Sequence, residues 1–200
     1  ADHPRPAVQS LRGARVELAL PTSLADQLRA VAKAQDVTLF MLLLASFQTL
    51  WHRYSGQADI RVGVPTANRN RVETERLVGF FVNTQVLRTE FDAQASFSTL
   101  LSQVKTTAMA AQAHQDLPFE QLVEALQPAR SLSYSPLFQV MYNHQSSGTT
   151  RNAPAADPAA LSIRHLHQPS RTAQFDLTLE TFDGAEGLGA QLTYATDLFD

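Results

Sequence analysis

The segment "LFMLLLASFQTLW", residues 39–51, has apolar side chains on nearly every face of the helix that its composition predicts. Thr38 is a suitable N-cap for this helix, which we expect to run to about Tyr54. Gly56 is the residue type that most often ends a helix. A surface helix would have a polar face, so this segment predicts a central helix that other elements bury.

Strands and further helices are predicted on both sides of this central helix. Alternating apolar and polar residues are typical of half-buried strands, whereas apolar spacings of three and four are typical of helices. Such patterns predict strands at 15–20, 59–65, 80–91, 137–145, 161–168, 173–182 and 188–196, helices near 24–31, 96–113 and 118–126, a long loop at 66–79 and a hairpin turn at 183–187. This mixed order predicts an α/β fold in which helices cover a mixed sheet.

The composition is that of an ordinary globular domain and excludes several classes of function. The 200 residues carry a formal net charge of −3, and no run concentrates lysine and arginine as nucleic-acid binding requires. There is no cysteine, which excludes disulfides, thiolate nucleophiles and cysteine zinc sites. The longest apolar run, Leu39 to Leu44, is too short to span a membrane. We therefore expect a cytoplasmic protein that binds neither nucleic acid nor membrane.

The segment "HQDLPFE", residues 114–120, allows a chemical and a structural interpretation. His114 and Asp116 could form an acid–base pair, since imidazole and carboxylate are the usual proton-transfer groups. Alternatively, Asp116 caps a helix that has Pro118 in its first turn, where the carboxylate of Glu120 also suits the helix dipole. No other catalytic partner accompanies the pair, so we favour the structural interpretation.

Two other sets of residues have the types that catalysis or metal binding uses. Ser135, His144 and Asp176 are the residue types of a serine hydrolase, but no Gly-x-Ser-x-Gly elbow surrounds the serine. His165 and His167 lie two apart on a predicted strand and could share a metal ion, but a third ligand at suitable spacing is missing. We therefore predict neither a serine hydrolase nor a metal site.

Polar residues interrupt two of the predicted strands. Asn83 and Thr84 stand in an apolar run, where an asparagine usually needs a hydrogen-bonding reason. That reason could be a neighbouring loop or the amide of a ligand, and the sequence leaves both open. Asn143, His144 and Gln145 end another strand in the same polar manner, and ligand groups gather at strand ends in mixed sheets.

Three segments, in order and at matching spacing, resemble core motifs of the condensation domains of nonribosomal peptide synthetases. "VGFFVNTQVLR", residues 78–88, resembles the fifth motif, Val/Ile-Gly-x-Phe-Val-Asn-Thr ending in Arg. "HQDLPFE" matches the sixth motif, His/Asn-Gln-Asp-x-Pro-Phe-Glu, at each defined position. "RSLSYSPL", residues 130–137, is similar to the seventh motif, Arg-Asp-x-Ser-Arg-Asn-Pro-Leu, but has Ser131, Tyr134 and Ser135 in place of Asp, Arg and Asn.

The resemblance implies one lobe of a chloramphenicol acetyltransferase-like fold. In such domains two similar halves form a V, and the amide bond is made in a tunnel between them. The catalytic His-His-x-x-x-Asp-Gly motif belongs to the first half and is absent from this sequence, so we expect no catalytic residue here. We expect residues 1–14 to be a linker from the N-terminal half and residues 15–200 to be the C-terminal subdomain of a longer chain.

The resemblance also implies site residues and partners. The residues expected to line the tunnel or contact substrate are Gly79, Asn83, Thr84, Asn143 and Gln145, and those expected to brace the wall are Gln115, Asp116, Pro118, Glu120, Arg130 and Ser133. No cofactor is expected to be bound covalently, because substrates are presented on the 4′-phosphopantetheine arms of carrier proteins. The expected partners are the N-terminal half, the donor and acceptor carrier proteins and the adjoining adenylation domain.

The same motifs bear on a competing hypothesis and on self-association. The competing hypothesis is a non-catalytic module whose motifs only pack a core and dock carrier proteins. "VGFFVNT" favours condensation over the epimerising relatives, which resemble Val-Gly-Trp-Phe-Thr at that point.

An excised lobe would also expose an apolar face that its other half normally covers, and self-association is therefore expected of it.

Overall fold

The computed structural model describes residues 1–92, 94–146, 171–184 and 187–200. Helices and strands are intermixed along the described chain, and the predicted α/β class is confirmed. The elements are β1 (Gly13–Ala19), α1 (Thr22–Ala34), α2 (Leu39–Ser55), β2 (Asp59–Thr66), α3 (Val72–Glu75), β3 (Asn83–Glu90), α4 (Phe97–Ala113), α5 (Phe119–Leu126), β4 (Val140–Ser146), β5 (Leu177–Gly184) and β6 (Gly187–Ala195). The strand predicted at 161–168 lies outside the described residues.

The strands form one mixed sheet in the order β1-β6-β5-β4-β2-β3. Strand β4 is parallel to both of its neighbours, β2 and β5, whereas the other pairs are antiparallel. Strands β5 and β6 form the predicted hairpin, in which Gly184 pairs with Gly187. Because β4 is central and parallel, long connections must carry the chain over the faces of the sheet.

Capping side chains begin the two long helices where the sequence predicts them. The Thr38 hydroxyl accepts a hydrogen bond from the Met41 N–H at 3.2 Å, and the Ser96 hydroxyl accepts one from the Thr99 N–H at 3.2 Å. Gly56 ends α2 with φ 68°, a left-handed conformation that glycine adopts without strain. These local signals fix the ends of α2 and α4 independently of the core.

Helices α2 and α4 pack on one face of the sheet and form the main core with it. Val62 of β2, Leu87 of β3 and Tyr142 of β4 are buried beneath them. The fully buried Gln48 of α2 donates to the Leu87 carbonyl at 3.3 Å and accepts from the Thr89 hydroxyl at 3.0 Å. This buried amide is therefore satisfied and fixes the position of α2 along β3.

The opposite face of the sheet carries a smaller aromatic cluster. The Phe138 ring lies over Gly63 of β2, where a Cβ atom would come within 2.3 Å of the ring. Phe119 and Phe175 pack against Phe138, with ring centroids 5.7 and 5.2 Å away. Gly63 is required here because any side chain would occupy the space of the ring.

Three sequence predictions need correction. The loop predicted at 66–79 contains the short helix α3, and Pro118 is the N-cap residue of α5 and not part of its first turn. The central helix α2 is not buried on every side, because Leu50 is 52% and Tyr54 is 83% exposed.

Within the described part of the chain, no single helix is both long enough and apolar enough to cross a membrane. Helices α1 and α2 reach that length and apolar composition only when taken together, and they are bent by 104° relative to each other.

The contact between Gly63 and Phe138 predicts a specific sensitivity to a single methyl group. Gly63→Ala should lower the free energy of unfolding by about 1–3 kcal/mol, because the buried Phe138 ring must move to admit the Cβ atom. Gly189→Ala, also in the sheet but with no atom within 4 Å of the added Cβ, should leave it nearly unchanged. Urea denaturation of both variants tests this, and equal stabilities would contradict the assigned packing.

Candidate functional site

Asn83, the first residue of β3, binds the backbone of the loop between α4 and α5. Its side-chain N–H groups donate to the carbonyls of Gln115 at 2.9 Å and Leu117 at 2.7 Å. Its side-chain oxygen accepts from the backbone N–H of Phe119 at 3.1 Å. Of the two partners that the sequence leaves open for Asn83, the structure therefore shows the neighbouring loop.

Asn83 also caps α5, because it accepts from the first backbone N–H group of that helix. The N-cap residue itself, Pro118, makes no capping hydrogen bond with its side chain. The Phe119 N–H would otherwise be one of the unpaired donors at the start of that helix. The predicted cap, Asp116, instead accepts from the Asn70 side chain at 2.8 Å, so that prediction is wrong. Glu120 does lie in the first turn of α5. An asparagine distant in sequence competes with the local carboxylate because its amide offers both donors and an acceptor to the loop.

Arg69 holds the segment before β3 in a defined shape. Its guanidinium donates to three backbone carbonyls, those of Thr74, Leu77 at 2.8 Å and Gly79 at 3.2 Å. It also lies over the Phe81 ring, 4.3 Å from the ring centroid. Because a guanidinium presents several donors in a rigid plane, one side chain can organise the whole turn.

The two segments that "VGFFVNT" and "HQDLPFE" occupy come together around a cleft of about 280 Å³. The residues that line this motif cleft are Asn68, Phe80, Val82, Asn83, Thr84, Asp116, Pro118, Phe119 and Glu120. Gln115 accepts from the Thr66 hydroxyl at 3.2 Å behind it. The structure thus brings together five of the predicted site residues: Asn83, Thr84, Asp116, Pro118 and Glu120.

Four residues that line this cleft were not predicted as site residues from the sequence: Asn68, Phe80, Val82 and Phe119. Asn68 has φ 50°, a left-handed conformation that asparagine tolerates better than most residues. Its side-chain oxygen is shielded from solvent and has no hydrogen-bond partner among the described residues. Phe80 is 91% exposed beside the cleft. An asparagine in a polar loop and a second phenylalanine in an apolar run are too common to be recognised without the fold.

The other predicted site residues lie elsewhere. Asn143 and Gln145 are on the last part of β4, on the sheet face opposite α2, where Asn143 pairs with Glu180 and Gln145 with Phe182 of β5. They do not line the motif cleft. Gly79 contributes its carbonyl to Arg69.

Ser133 belongs to a third location, near the N-terminal segment. The buried Ser133 hydroxyl donates to the carbonyl of Pro6, and Arg5 donates to the Ser133 carbonyl at 3.3 Å. Arg5 also pairs with the nearly buried carboxylate of Asp176, which raises the pKa of the arginine above its usual value. Arg130 is exposed. Ser133 therefore fastens the first residues of the chain to the body of the sheet.

The structure does not assemble the alternative catalytic sets. Asp176 pairs with Arg5, and His144 bonds to Thr181, so Ser135, His144 and Asp176 share no hydrogen bond among the described residues. No bond joins His114 to Asp116 in that same part of the chain. Across 1–92, 94–146, 171–184 and 187–200 there is no cluster of three metal-ligating side chains, and His165 and His167 lie outside these ranges.

The fold and the joined motifs are those of a known protein family. The family described as Condensation domain matches residues 1–200. This chain belongs to the condensation-domain family. A linear gramicidin synthase from Brevibacillus parabrevis is 50% identical over 199 residues, which cover 100% of this chain and 2% of the relative. The chain therefore spans only a small part of that protein.

Solved structures agree with this assignment. The four-domain nonribosomal peptide synthetase holo-AB3403, bound to AMP and glycine, superposes with a TM-score of 0.85 and 29% identity, over 100% of this chain and 16% of that one. The X-domain of teicoplanin biosynthesis, in complex with OxyB, gives a TM-score of 0.84 and 26% identity, over 100% of this chain and 44% of that one. The condensation-domain resemblance and the lobe architecture that it implied are confirmed.

The contacts of Asn83 predict a local loss of stability on substitution. Asn83→Ala should lower the free energy of unfolding by about 1–3 kcal/mol, because two carbonyls and one N–H lose their partner. The Phe119 amide should then exchange with deuterium faster. Asn70→Ala, which removes one exposed bond to Asp116, is the control and should have little effect. Unchanged exchange at Phe119 in Asn83→Ala would contradict the capping role.

His144 predicts a pH dependence of stability. Its Nδ1 lies 2.8 Å from the Thr181 hydroxyl, and burial lowers the pKa of its imidazole despite the opposing charge of Asp183. The unfolded chain therefore binds a proton more readily, so stability should fall as the pH drops below about 6.5, the ordinary histidine pKa. The His144→Gln variant should lose less stability between pH 7 and pH 5, measured by urea denaturation. An equal loss in both proteins would exclude this assignment.

Proposed function

We propose that this chain is the C-terminal half of a nonribosomal peptide synthetase condensation domain and forms one wall of the tunnel in which amide bonds are made. The observation that carries the proposal is the motif cleft, in which two family motifs separated in sequence meet through Asn83. The family match over the whole chain supports it, as does the fact that this chain covers 44% of the X-domain chain. More than half of such a relative is thus made of residues outside this match.

The reaction needs groups that the motif cleft does not offer. A thioester carbonyl on one carrier protein is attacked by the amine on the next; a C–N bond forms, the C–S bond breaks, and the amine gives up a proton. A base near the amine and a fixed orientation of both substrates are the main sources of rate. No histidine is among the described residues that line the motif cleft. We infer that this lobe orients substrate and that the proton acceptor comes from the N-terminal half.

The side chains at the cleft suit the amides of a phosphopantetheine arm or of an acyl chain. Asn68 lines the cleft, and its side-chain oxygen, shielded from solvent and without a partner among the described residues, would accept from a ligand N–H if the side chain turned toward the cleft. The Thr84 hydroxyl is a donor and an acceptor on the same wall. Asn83 has its donors engaged with the loop, so we assign it a positioning role: it holds the wall in shape.

Phe80 marks the side of the cleft where we place the partner half. Phe80, which is 91% exposed, forms an apolar patch with the exposed Val78 and Val82, and such a patch marks a surface that another surface covers. Arg69 fixes the backbone that carries Val78 and Phe80, so they form a preformed contact surface. We propose that the N-terminal half of the domain covers Phe80 and Val78. Carrier proteins would then bind at the mouths of the tunnel and insert only their phosphopantetheine arms.

The second candidate function is a non-catalytic module that binds other proteins. The observation that favours it is the X-domain, a relative of the same fold whose structure is a complex with OxyB. The sequence between 78 and 84 has the pattern expected of condensing members, which favours the catalytic proposal. The two proposals differ in whether amide product is formed.

An activity assay with matched proteins distinguishes them. The intact domain, with its N-terminal half, should convert a donor aminoacyl carrier protein and an acceptor aminoacyl carrier protein into a dipeptidyl thioester, detected by mass spectrometry. Residues 1–200 alone should give no product above the uncatalysed rate, and adding the N-terminal half as a separate polypeptide should restore some turnover. Product from 1–200 alone would refute the division of roles, and carrier binding without product by the intact domain would favour the non-catalytic module.

A further inference from the structure

A large apolar groove lies on the helix-covered face of the sheet, away from the motif cleft. Its volume is about 820 Å³, and its floor is formed by alternate residues of β1, β5 and β6. Representative lining residues are Leu18, Leu179, Leu188 and Leu192. Leu18 is 50% exposed although its side chain points to the face that carries the core. The floor is thus buried at Leu188, which is 3% exposed, and open at Leu18, and an open apolar groove of this size is typical of a binding surface.

One wall of the apolar groove is an apolar stripe on α2 that begins at the edge of the core, where Phe47 is buried, and ends in the exposed side chains of Leu50 and Tyr54. Leu43, Phe47, Leu50 and Tyr54 line it at spacings of four, three and four residues, which place them on one side of the helix. These spacings are those of helix–helix contacts, in which side chains of one helix enter the gaps of another. The stripe explains why "LFMLLLASFQTLW" is apolar on nearly every face although α2 packs on only part of its surface.

Among the described residues, α2 is the only helix that lines the apolar groove. Helices α2 and α4 cover β2, β3 and β4. Helix α1 lies on the same face, where it contacts α2 and β6 and bonds from Arg29 to Asp183 at 2.7 Å, but it does not line the groove. The groove floor on β1, β5 and β6 therefore has no covering helix among the described residues.

We propose that the apolar groove is the seat of an amphipathic helix that directly precedes Ala1 in the longer protein. This proposal rests on the proposed function, since it takes the N-terminal half to belong to the same chain. Ala1 and Asp2 line the groove, and the backbone N–H groups of Asp2 and His3 bond to the Leu198 carbonyl at 2.7 and 3.2 Å. A segment attached to Ala1 would therefore start at the groove, and this proximity favours its binding over that of a separate molecule.

The composition of the groove defines the chemistry of this helix. Among the described residues that line it, Asp2 alone is charged, and the others are apolar or uncharged. The facing side of the helix should therefore carry leucine, alanine or aromatic residues at spacings of three and four. Strand β6 has nine residues and is about 30 Å long, which a helix of up to about 20 residues would match. The helix would tie the two halves together at the end of the sheet formed by β1, β6 and β5.

Labelling of single cysteines in the intact domain tests whether the groove is filled. Residues 1–200 contain no cysteine, so any native cysteines of the other half are replaced first. Leu50→Cys should react with a maleimide at least tenfold more slowly than Met109→Cys, a matched control on α4 whose parent residue is 56% exposed against 52% for Leu50. Equal reactivity of the two thiols in the folded domain would overturn the proposal.

A second measurement in the intact domain identifies the occupant. The photo-crosslinking residue p-benzoylphenylalanine is placed at position 50, and the cross-linked peptide is identified by mass spectrometry. The expected partner is a peptide within about 40 residues before Ala1, room for one such helix and its connection. Cross-links to a distant segment, a second copy or a carrier protein would refute the assignment.

The amide-forming assay on the same preparations separates this proposal from the proposed function. If product forms but the thiol at position 50 reacts freely, the proposed function stands and the proposed helix is refuted. If the thiol is protected and position 50 cross-links to the preceding segment, but no product forms, the proposed helix stands and the catalytic function is refuted.

Discussion

The amide of Asn83 is the contact on which the arrangement of the motif cleft depends. The chain leaves α4 on one face of the sheet and enters α5 beside the aromatic cluster on the other face, passing the edge strand β3. At that crossing the loop has no neighbouring strand to bond to among the described elements, and its carbonyls and the first N–H of α5 need other partners. One side chain supplies them. A shorter or charged side chain could not serve two acceptors and one donor together.

The motifs of this family therefore carry a structural meaning that their chemistry alone does not suggest. "VGFFVNT" provides the asparagine and "HQDLPFE" provides the loop that it binds, so the two motifs form the two sides of one hydrogen-bonded contact. Arg69 lies outside both motifs and holds the segment that leads into this contact by donating to the carbonyls of Leu77 and Gly79. Histidine and aspartate in the second motif look like an acid–base pair in sequence, yet Asp116 bonds to Asn70. The geometry gives these polar residues positioning roles around an open cleft.

The sequence predicts the elements of this fold well and their environment less well. Caps such as Thr38 and Ser96, and period-two runs such as that of β2, are local signals, and the structure contains them where they were expected. The contacts of Asn83 could not be predicted, because its partners lie more than 30 residues away and sequence pattern carries no information on such distances. The exposure of Leu50 could not be predicted either. The sequence shows that this residue is apolar, but the side of α2 that meets the sheet is decided by tertiary packing.

The pairing of the first strand with the last has a consequence for synthesis on the ribosome. Gly13 of β1 lies opposite Ala195 of β6, so β1 has no partner among the described strands until almost the whole chain has been translated. At about 5–20 residues per second, the nascent β1 waits on the order of ten to thirty-five seconds. Strands β2 and β3, which pair across a short connection, can form during that interval. The polypeptide thus emerges with β1 as an unpaired strand, which must avoid pairing with other exposed strands during that time.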